Sequence, residues 1–381
     1  MRPAILQVIP SLSAGGAERT TVDVAAALTR AGFEALVASS GGRMAHELNS
    51  AGAKLIPLPL DTKAPHNLLS NAYRLRDLIR ARNVVLVHAR SRAPAWSALW
   101  AARMARVPFV TTYHGIYNAS NPLKRFYNSV MARADAVIAN SQWTADHVSS
   151  EYRFTPKNLT VIPRGIDMTR FDPASVAPER VARLRKAWGA QDSDIVVLLP
   201  GRLTRWKGQL VLLDALTRLK HESRLDHIRA VLAGDPQRRF DYENTLRRSI
   251  SANGLGHYVT IPGHTEDMPA AYLAADIVVS ASTDPEAFGR VAAEASAMGR
   301  PVIATNHGGS RETVIQGVSG VLVPPGDAKA LADAIATIAS LDAGARAVIG
   351  REGRAHIAAR YTVERMCADT IALYRKLLER G

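Results

Sequence analysis

Short apolar segments alternate with amphipathic helical segments along the chain, and this alternation limits the folds that the chain can adopt. In the first half, the apolar segments predicted as strands lie at residues 5–9, 35–39, 54–57, 84–88, 109–112, 136–139 and 159–162. In the second half they lie at residues 195–199, 230–233, 258–261, 277–280, 302–305 and 321–323. Helical periodicity between them, as at residues 17–31 and 93–106, predicts right-handed crossovers between parallel strands. The sequence therefore predicts an α/β protein.

One segment, residues 163–178, interrupts this alternation. It is rich in Pro and Asp, lacks periodicity, and precedes a fresh series of strands and helices. With 381 residues, the chain is long enough for two domains. We therefore predict two Rossmann-like domains that face each other across a cleft. Their predicted bounds are 1–165 and 178–360, followed at 361–381 by a segment whose apolar residues recur with a helical period.

The composition is that of a soluble globular protein, with 47% hydrophobic and 22% charged residues. Cys367 is the only cysteine, so no internal disulfide can form, which fits a reducing compartment. The apolar run in MRPAILQVIP is too short for a signal peptide, and we interpret it as the first strand. No apolar run approaches the roughly 18 residues of a membrane span. A cytoplasmic protein is expected.

The net charge of +14 is concentrated in the first half. Residues 1–165 hold 20 Lys and Arg against 9 Asp and Glu, whereas residues 166–381 hold 28 against 25. Such an excess suggests an anionic partner. No aromatic-rich basic cluster, helix-turn-helix signal or zinc spacing supports nucleic acid, so an anionic membrane surface is the preferred partner.

The predicted helix at residues 122–134 is the candidate contact with that membrane. It places Phe126 and its apolar neighbours beside Lys124, Arg125 and Arg133. An amphipathic helix of this kind can lie on a lipid surface, peripheral to the membrane. Packing of the helix on its own sheet is the alternative.

The segment DPEAFGRVAAEASAMGRPVIAT, at residues 284–305, is the most informative motif. Glu286 lies in a loop, Phe288 and Gly289 open a helix, and Glu294 lies further along that helix. Backbone amides at a helix start lack intrahelical partners and suit phosphate. Glu286 can accept hydrogen bonds from sugar hydroxyls, and Glu294 can bind a ribose diol. The pattern indicates a site for a nucleotide diphosphate sugar; an ordinary loop and helix with two surface acids is the alternative.

Polar segments follow other predicted strands as well. GRLTRWKG at residues 201–208 places Arg202 and Lys207 after a strand, where α/β folds bind ligands. Both cations suit a diphosphate leaving group. LAGD at 232–235 and HGGSRE at 307–312 end two further strands. In IPSLSAGGAER, at residues 9–19, Gly15 and Gly16 join a strand to a helix. Because glycine has no Cβ atom, this turn allows the backbone to approach a ligand closely; a tight turn with no ligand is the alternative.

Together these segments resemble the retaining glycosyltransferases of family 4, which have the GT-B fold, and in particular those that build bacterial lipopolysaccharide and polysaccharide. The resemblance extends over essentially the whole chain. It implies an acceptor-binding first domain, a donor-binding second domain, and a C-terminal helix that packs back on the first domain. It also implies metal-independent transfer of a sugar from a nucleotide diphosphate sugar to a lipid-linked or polysaccharide acceptor, with lipopolysaccharide core synthesis as one setting. No cofactor is implied beyond the donor substrate.

The resemblance also assigns roles to single residues. A His placed like His114, in TTYHG, lies near the C6 hydroxyl of the transferred sugar, whereas His88 is a weaker candidate. Many relatives have Asn where Arg164 stands. The loop after residue 261 lines the base pocket. The predicted catalytic residues are His114, Glu286, Arg202 and Lys207, and the predicted donor-binding residues are Gly15, Gly16, Arg202, Lys207, Gly263, His264, Phe288, Gly289 and Glu294.

No metal site is predicted. Asp192 and Asp194 resemble a metal-binding pair, but they precede a strand instead of following one, and we interpret them as a surface turn. Two other functions remain: a nucleotide-sugar epimerase of the same fold, and a noncatalytic nucleotide-sugar-binding partner of another transferase. The sequence does not name the base, the sugar or the acceptor.

Overall fold

The structure is a computed structural model, and it describes residues 2–13, 15–62, 64–117, 120–152, 159–237 and 240–379. Position 14, beside the predicted Gly15–Gly16 turn, lies outside these ranges. The chain divides into two compact units. The first unit comprises Met1–Gly165 and Val363–Gly381, and the second comprises Ile166–Thr362.

The first unit is built on a parallel sheet of seven strands in the order β3-β2-β1-β4-β5-β6-β7. These strands are β1 Ala4–Val8, β2 Glu34–Ser39, β3 Lys54–Pro57, β4 Val84–Ala89, β5 Phe109–Tyr113, β6 Ala136–Ala139 and β7 Leu159–Val161. Its helices are α1 Gly16–Arg30, α2 Ala45–Ser50, α3 Pro65–Ala81, α4 Arg92–Ala105, α5 Pro122–Asn128, α6 Gln142–Glu151 and the returning helix Val363–Leu378.

The second unit is built on a parallel sheet of six strands in the order β10-β9-β8-β11-β12-β13. These strands are β8 Ile195–Pro200, β9 Ile228–Ala233, β10 Val259–Gly263, β11 Ile277–Ser280, β12 Val302–Thr305 and β13 Gly320–Val323. Its helices are α7 Pro178–Ala187, α8 Gln209–His221, α9 Phe240–Ala252, α10 Met268–Ala274, α11 Arg290–Ala297, α12 Ser310–Thr313, α13 Ala328–Ala339 and α14 Ala343–Arg360. The helix Val363–Leu378 in the first unit is α15.

Both sheets are covered on both faces, which explains why their strands are short continuous apolar runs. Among the described residues, each unit contains two hydrophobic clusters, one on each side of its sheet. Parallel sheets are stable in this arrangement because crossover helices shield both faces from water. All the strands predicted from the sequence are present, with ends shifted by at most two residues.

Helix α15 contributes to the core of the first unit, although it is separated from the rest of that unit by about half the chain. Met366, Cys367, Ile371 and Tyr374 are buried in the cluster formed by α1 and one face of the first sheet. Burial raises the pKa of the Cys367 thiol to about 12, so this cysteine is a core residue and not a reactive one.

Two segments differ from their predicted form. The segment predicted as one helix at 122–134 is α5, capped by the Asn121 side chain on the backbone N–H of Lys124, followed by a 3-10 helix at Ser129–Ala132. Residues 166–178 are not a bare linker, because Ile166, Phe171 and Val176 are buried in the core of the second unit. The second unit thus begins at residue 166 and not at 178.

In the part of the chain that the structure describes, no helix has the combination of length and apolar character that crossing a membrane requires.

Candidate functional site

The main candidate site lies where the strand order of the second sheet reverses. From β8 the chain adds β9 and β10 on one side of the sheet, then returns to add β11, β12 and β13 on the other. Two neighbouring loops therefore diverge at the carboxyl ends of β8 and β11, and open α/β sheets bind ligands in such a crevice. The loops are residues 201–208 and 281–289.

A buried ion pair joins these two loops. The Nζ atom of Lys207 lies 2.7 Å from Oε1 of Glu286, and the side chains are only 12% and 10% exposed. The same oxygen accepts a hydrogen bond of 2.5 Å from the Ser282 hydroxyl. Burial opposes ionisation of Glu286, but the charge of Lys207 and these hydrogen bonds outweigh it and hold the pKa of the carboxyl below its ordinary value. A carboxylate and an ammonium group are thus fixed at the strand ends.

The loop carrying Glu286 is held by the loop that follows β12. The backbone N–H of Gly309 donates to the carbonyl of Glu286 over 2.7 Å. A Cβ atom at Gly308 would lie 2.3 Å from that carbonyl oxygen, and one at Gly309 would lie 2.5 Å from Cα of Phe288. Only glycine permits this approach. The two glycines of HGGSRE therefore position the Glu286 loop.

Phe288 and Gly289 set the start of α11. Gly289 caps the helix in the left-handed region, with φ of 81°. Phe288 is buried, and its ring packs edge-on against Tyr361 with centroids 5.7 Å apart. This apolar anchor fixes the direction of α11, so the amides at its first turn stay at the same strand ends as Lys207 and Glu286.

Glu294 is buried within α11 and is held by two neighbours. Its Oε2 atom accepts a hydrogen bond of 2.8 Å from the Tyr272 hydroxyl, and its Oε1 atom lies 3.1 Å from Nε of Arg290. Burial and the adjacent Glu294 charge raise the pKa of Tyr272 well above its ordinary value, so the phenol remains a donor. Sequence reasoning found Glu294 but missed Tyr272, which looked like an ordinary core residue of α10.

Arg202 lies in the same loop as Lys207 but in a different environment. Its side chain is exposed, and none of the ion pairs or side-chain hydrogen bonds found among the described residues involves it. Its carbonyl accepts a hydrogen bond of 3.0 Å from Nε2 of Gln209, which orders the loop. The backbone at Arg202 is therefore ordered. No carboxylate of the described residues neutralises the Arg202 guanidinium.

His307 is a polar residue that sequence reasoning left without a role. Both of its ring nitrogens are buried and lack a hydrogen-bond partner in the described ranges. The hydroxyls of Thr305, which ends β12, and of Ser310, which begins α12, are in the same situation. Buried polar groups are nearly always satisfied, so this loop has the character of a binding surface. The only sequence signal was the HGGSRE segment itself.

Gly263 and His264 lie further from this centre. Gly263 ends β10, an edge strand two positions from β8, so about 10 Å of sheet separates them. His264 is exposed, and no atom lies within 4 Å of a Cβ built on Gly263. These two residues are peripheral to the Lys207–Glu286 pair.

The first unit brings a second group of predicted residues together at the carboxyl ends of its strands. A Cβ atom at Gly16 would lie 2.2 Å from Nη1 of Arg164. Nη2 of Arg164 lies 3.2 Å from Nδ1 of His114, which follows β5. Burial, and then the charges of Arg164 and Arg90, lower the pKa of His114 well below its ordinary value. His114 is therefore a neutral imidazole held beside the glycine turn, where Gly15 precedes α1.

Two residues discussed from the sequence, His88 and Asp194, are structural. His88 is buried, and its ring nitrogens bond the Tyr374 hydroxyl and, over 2.8 Å, that of Thr112. Asp194 is not in a surface turn as predicted, because it is buried 3.4 Å from Nε of Arg229. The described residues contain no cluster of three or more His, Cys, Asp or Glu side chains that could hold a metal ion.

Comparison with known proteins matches both units to glycosyltransferases. The profile of the family described as Glycosyltransferase Family 4 matches residues 14–170, and that of Glycosyl transferases group 1 matches residues 181–356. A glycosyltransferase from Rickettsia africae has a similar crystal structure, with a TM-score of 0.91 and 34% identity over 100% of both chains. Anabaena HepE in complex with UDP and glucose has a TM-score of 0.84 and 28% identity over 98% of this chain and 100% of its own.

The chain therefore belongs to the glycosyltransferases of the GT-B fold, in family 4, as its motifs predicted. Among curated relatives, a D-inositol 3-phosphate glycosyltransferase from Corynebacterium urealyticum is 33% identical over 65% of this chain. This chain spans 58% of the length of that relative.

Proposed function

We propose that this chain transfers a sugar from a nucleotide diphosphate sugar to a hydroxyl group of an acceptor, with retention of anomeric configuration. The observation that carries the proposal is the buried Lys207–Glu286 pair at the strand-order reversal of the second sheet, 2.7 Å long and next to the start of α11. It combines a cation for a leaving phosphate with a carboxylate for sugar hydroxyls.

Each side chain has a separate part in this proposal. Lys207, Arg202 and the amides at the start of α11 stabilise the diphosphate as the bond between the sugar C1 and the phosphate oxygen breaks. The acceptor hydroxyl forms its new bond to C1 on the same face and gives its proton to the departing diphosphate. Glu286 orients the sugar through its hydroxyls, and Glu294, held by Tyr272, binds the ribose. His307 contacts the sugar, because hydroxyls can satisfy both its donor and its acceptor nitrogen, whereas a diphosphate offers only acceptors.

The transfer is proposed to need no metal ion. Lys207 and Arg202 supply the positive charge that a divalent cation would bring to the diphosphate. Asp194, one member of the candidate acid pair, is already engaged by Arg229. Activity should therefore survive excess EDTA, and a strict requirement for Mn²⁺ or Mg²⁺ would contradict this part of the proposal.

The donor proposed first is a UDP-sugar. HepE, which shares the fold at 28% identity, was crystallised with UDP and glucose. The ordered Arg202–Lys207 loop and the Glu294–Tyr272 pair suit any nucleoside diphosphate, so UDP-, GDP- and ADP-sugars should be compared. The peripheral Gly263 and His264 are proposed to face the base.

The proposed acceptor is a lipid-linked or polysaccharide chain at an anionic membrane surface on the cytoplasmic side, with lipopolysaccharide core synthesis as one setting. Leu123 and Phe126 on α5 are 82% and 59% exposed, next to Lys124 and Arg125. Exposed apolar side chains beside cations suit anionic lipid. A small phosphorylated polyol is a second candidate acceptor, suggested by the name of the relative from Corynebacterium urealyticum.

A ligand screen followed by a product assay tests the function. Thermal unfolding with UDP-, GDP- and ADP-sugars should identify the donor, since a ligand that binds the folded state raises its stability. Incubation with that donor should then release nucleoside diphosphate, and faster when acceptor is added. Conversion of the donor into an epimer with no release of diphosphate would indicate an epimerase. Binding with no product from any acceptor would indicate a noncatalytic partner.

A further inference from the structure

An arginine of the first unit is buried without a counter-ion. Arg90 follows β4 and is only 2% exposed. Its Nε atom donates to Oε1 of Gln7 over 2.7 Å, and Gln7 is held in turn by donating to the carbonyl of Thr21 over 3.0 Å. Its Nη2 atom is buried and has no partner in the described part of the chain. The guanidinium is thus fixed in place by its Nε, while both N–H groups of Nη2 are unused.

The groups that act on Arg90 electrostatically are Tyr374, Cys367 and Asp23, and none of them forms an ion pair with it in the described part of the chain. The electrostatic influence of Arg90 and Arg164 reaches His114, whose Nε2 atom is buried and unpartnered among the described residues. Of the carboxylates in the described ranges, none lies within the 4.0 Å of an ion pair with Arg90. Asp23 influences it only through space and is engaged by Arg19 at 3.0 Å.

Gln7 and Arg90 lie at the point of the first sheet where the strand order reverses. β1 and β4 are neighbours, and the chain extends to β2 and β3 on one side and to β5, β6 and β7 on the other. Gln7 belongs to β1, and Arg90 follows β4. This reversal is where an open parallel sheet binds its ligand. The first sheet therefore has a binding position of its own, lined by donors.

We propose that Arg90 binds an oxyanion, a phosphate or carboxylate group, of the acceptor. A buried charge is costly unless a counter-charge or full hydrogen bonding compensates it. An oxyanion supplies both, because it carries the counter-charge and accepts hydrogen bonds from Nη2 of Arg90.

The acceptor is favoured over the donor as the source of this group. The donor diphosphate already has Lys207, Arg202 and the start of α11 in the second unit, whereas the second cationic centre lies at the strand ends of the first unit. This assignment rests on the proposed transferase function. The binding of an anion at Arg90 can be measured without any transfer.

Thermal unfolding of the full chain with inorganic phosphate as the probe tests the site. With saturating UDP present to occupy the donor site, phosphate should raise the Tm of the wild-type protein by at least about 2 °C more at saturating concentration. Arg90→Met should lose this rise, while Arg80→Met, a change at an exposed arginine of α3, and Arg202→Met should keep it. Without phosphate, the Tm of Arg90→Met should stay close to that of the wild type, because loss of an unpaired buried charge offsets loss of the Gln7 hydrogen bond.

Several outcomes would overturn the proposal. The Tm of the wild type would not rise with phosphate, or the rise would be retained in Arg90→Met, or it would be lost in Arg202→Met instead. If Arg90→Met does not fold, Arg90→Lys, which keeps the charge but not the fork, should bind phosphate at least tenfold more weakly. The Tm rise with UDP-glucose should persist in every Arg90 variant, and its loss would assign the anion to the donor. A wild-type protein that binds phosphate but releases no nucleoside diphosphate would instead contradict the transferase function.

Discussion

Lys207 and Glu286 neutralise each other across 2.7 Å, although they serve different parts of the proposed donor. An arriving diphosphate competes with Glu286 for the ammonium group, and an arriving sugar offers Glu286 hydroxyls in exchange. The ion pair therefore keeps the ammonium group and the carboxylate charged until the donor binds and each contacts its own part of the ligand.

Glu286→Gln should lower kcat by on the order of 100-fold while changing donor affinity little. The amide keeps the size of the side chain but loses the negative charge that orients the sugar, and it leaves Lys207 free for phosphate. Steady-state kinetics and donor titration separate the two effects. Wild-type turnover in this variant would refute the assignment of Glu286.

Glu294→Ala should mainly weaken donor binding, by about 1–3 kcal/mol, because charged hydrogen bonds to the ribose are lost. Tyr272→Phe removes only the 2.8 Å bond that holds Glu294 and should cost less. Calorimetric titration with the nucleoside diphosphate checks both. If Tyr272→Phe weakens binding more than Glu294→Ala does, the tyrosine and not the glutamate contacts the ligand.

The pH dependence of stability should report the same ion pair. Because the folded-state pKa of Glu286 lies below the ordinary 4.5, its ionised form stabilises the fold above about pH 4.5. This contribution is lost as the pH falls through the folded-state pKa. Urea unfolding from pH 7 down to about 3 should therefore show the advantage of the wild type over Glu286→Gln disappearing in acid. An unchanged difference across that range would mean that folding does not shift the pKa of Glu286.

His307→Phe should reduce affinity for the nucleotide sugar about tenfold but leave affinity for the free nucleoside diphosphate unchanged. The ring is replaced by one of similar shape, so only the two unpartnered nitrogens are removed. Parallel titrations with UDP-glucose and UDP give the two affinities. Equal losses for both ligands would place His307 at the phosphates instead of the sugar.

The protein should pellet with vesicles rich in anionic lipid and much less with neutral vesicles. Salt should weaken this binding, since charges are screened within about 8–10 Å. Leu123→Ala with Lys124→Glu should reduce pelleting, because both side chains lie on the exposed part of α5, while donor-induced thermal shifts remain. Equal pelleting with the two kinds of vesicle, or none, would remove the membrane from the proposal.

The sequence predicted the fold more fully than the site. Strands such as β11 and β12 are short continuous apolar runs, which are typical of strands buried on both faces of a parallel sheet. Glu286 and Lys207 could be found because they follow such strands. The roles of Tyr272, Arg90 and His307 could not be predicted from the sequence. They depend on which polar atoms are paired in the fold and which are not. That property depends on contacts between distant segments and leaves no periodic signal.

The return of α15 to the first unit has a consequence for how the protein is made. The second unit is one continuous stretch, Ile166–Thr362, whereas the first is interrupted by it. During synthesis, part of the apolar face of the first sheet therefore stays exposed until residues 363–378 have left the ribosome. Only then can α15 cover this face and Tyr374 contact His88. The first unit is therefore the first to be synthesised but the last to finish folding. Premature termination before α15 would leave this aggregation-prone apolar surface exposed.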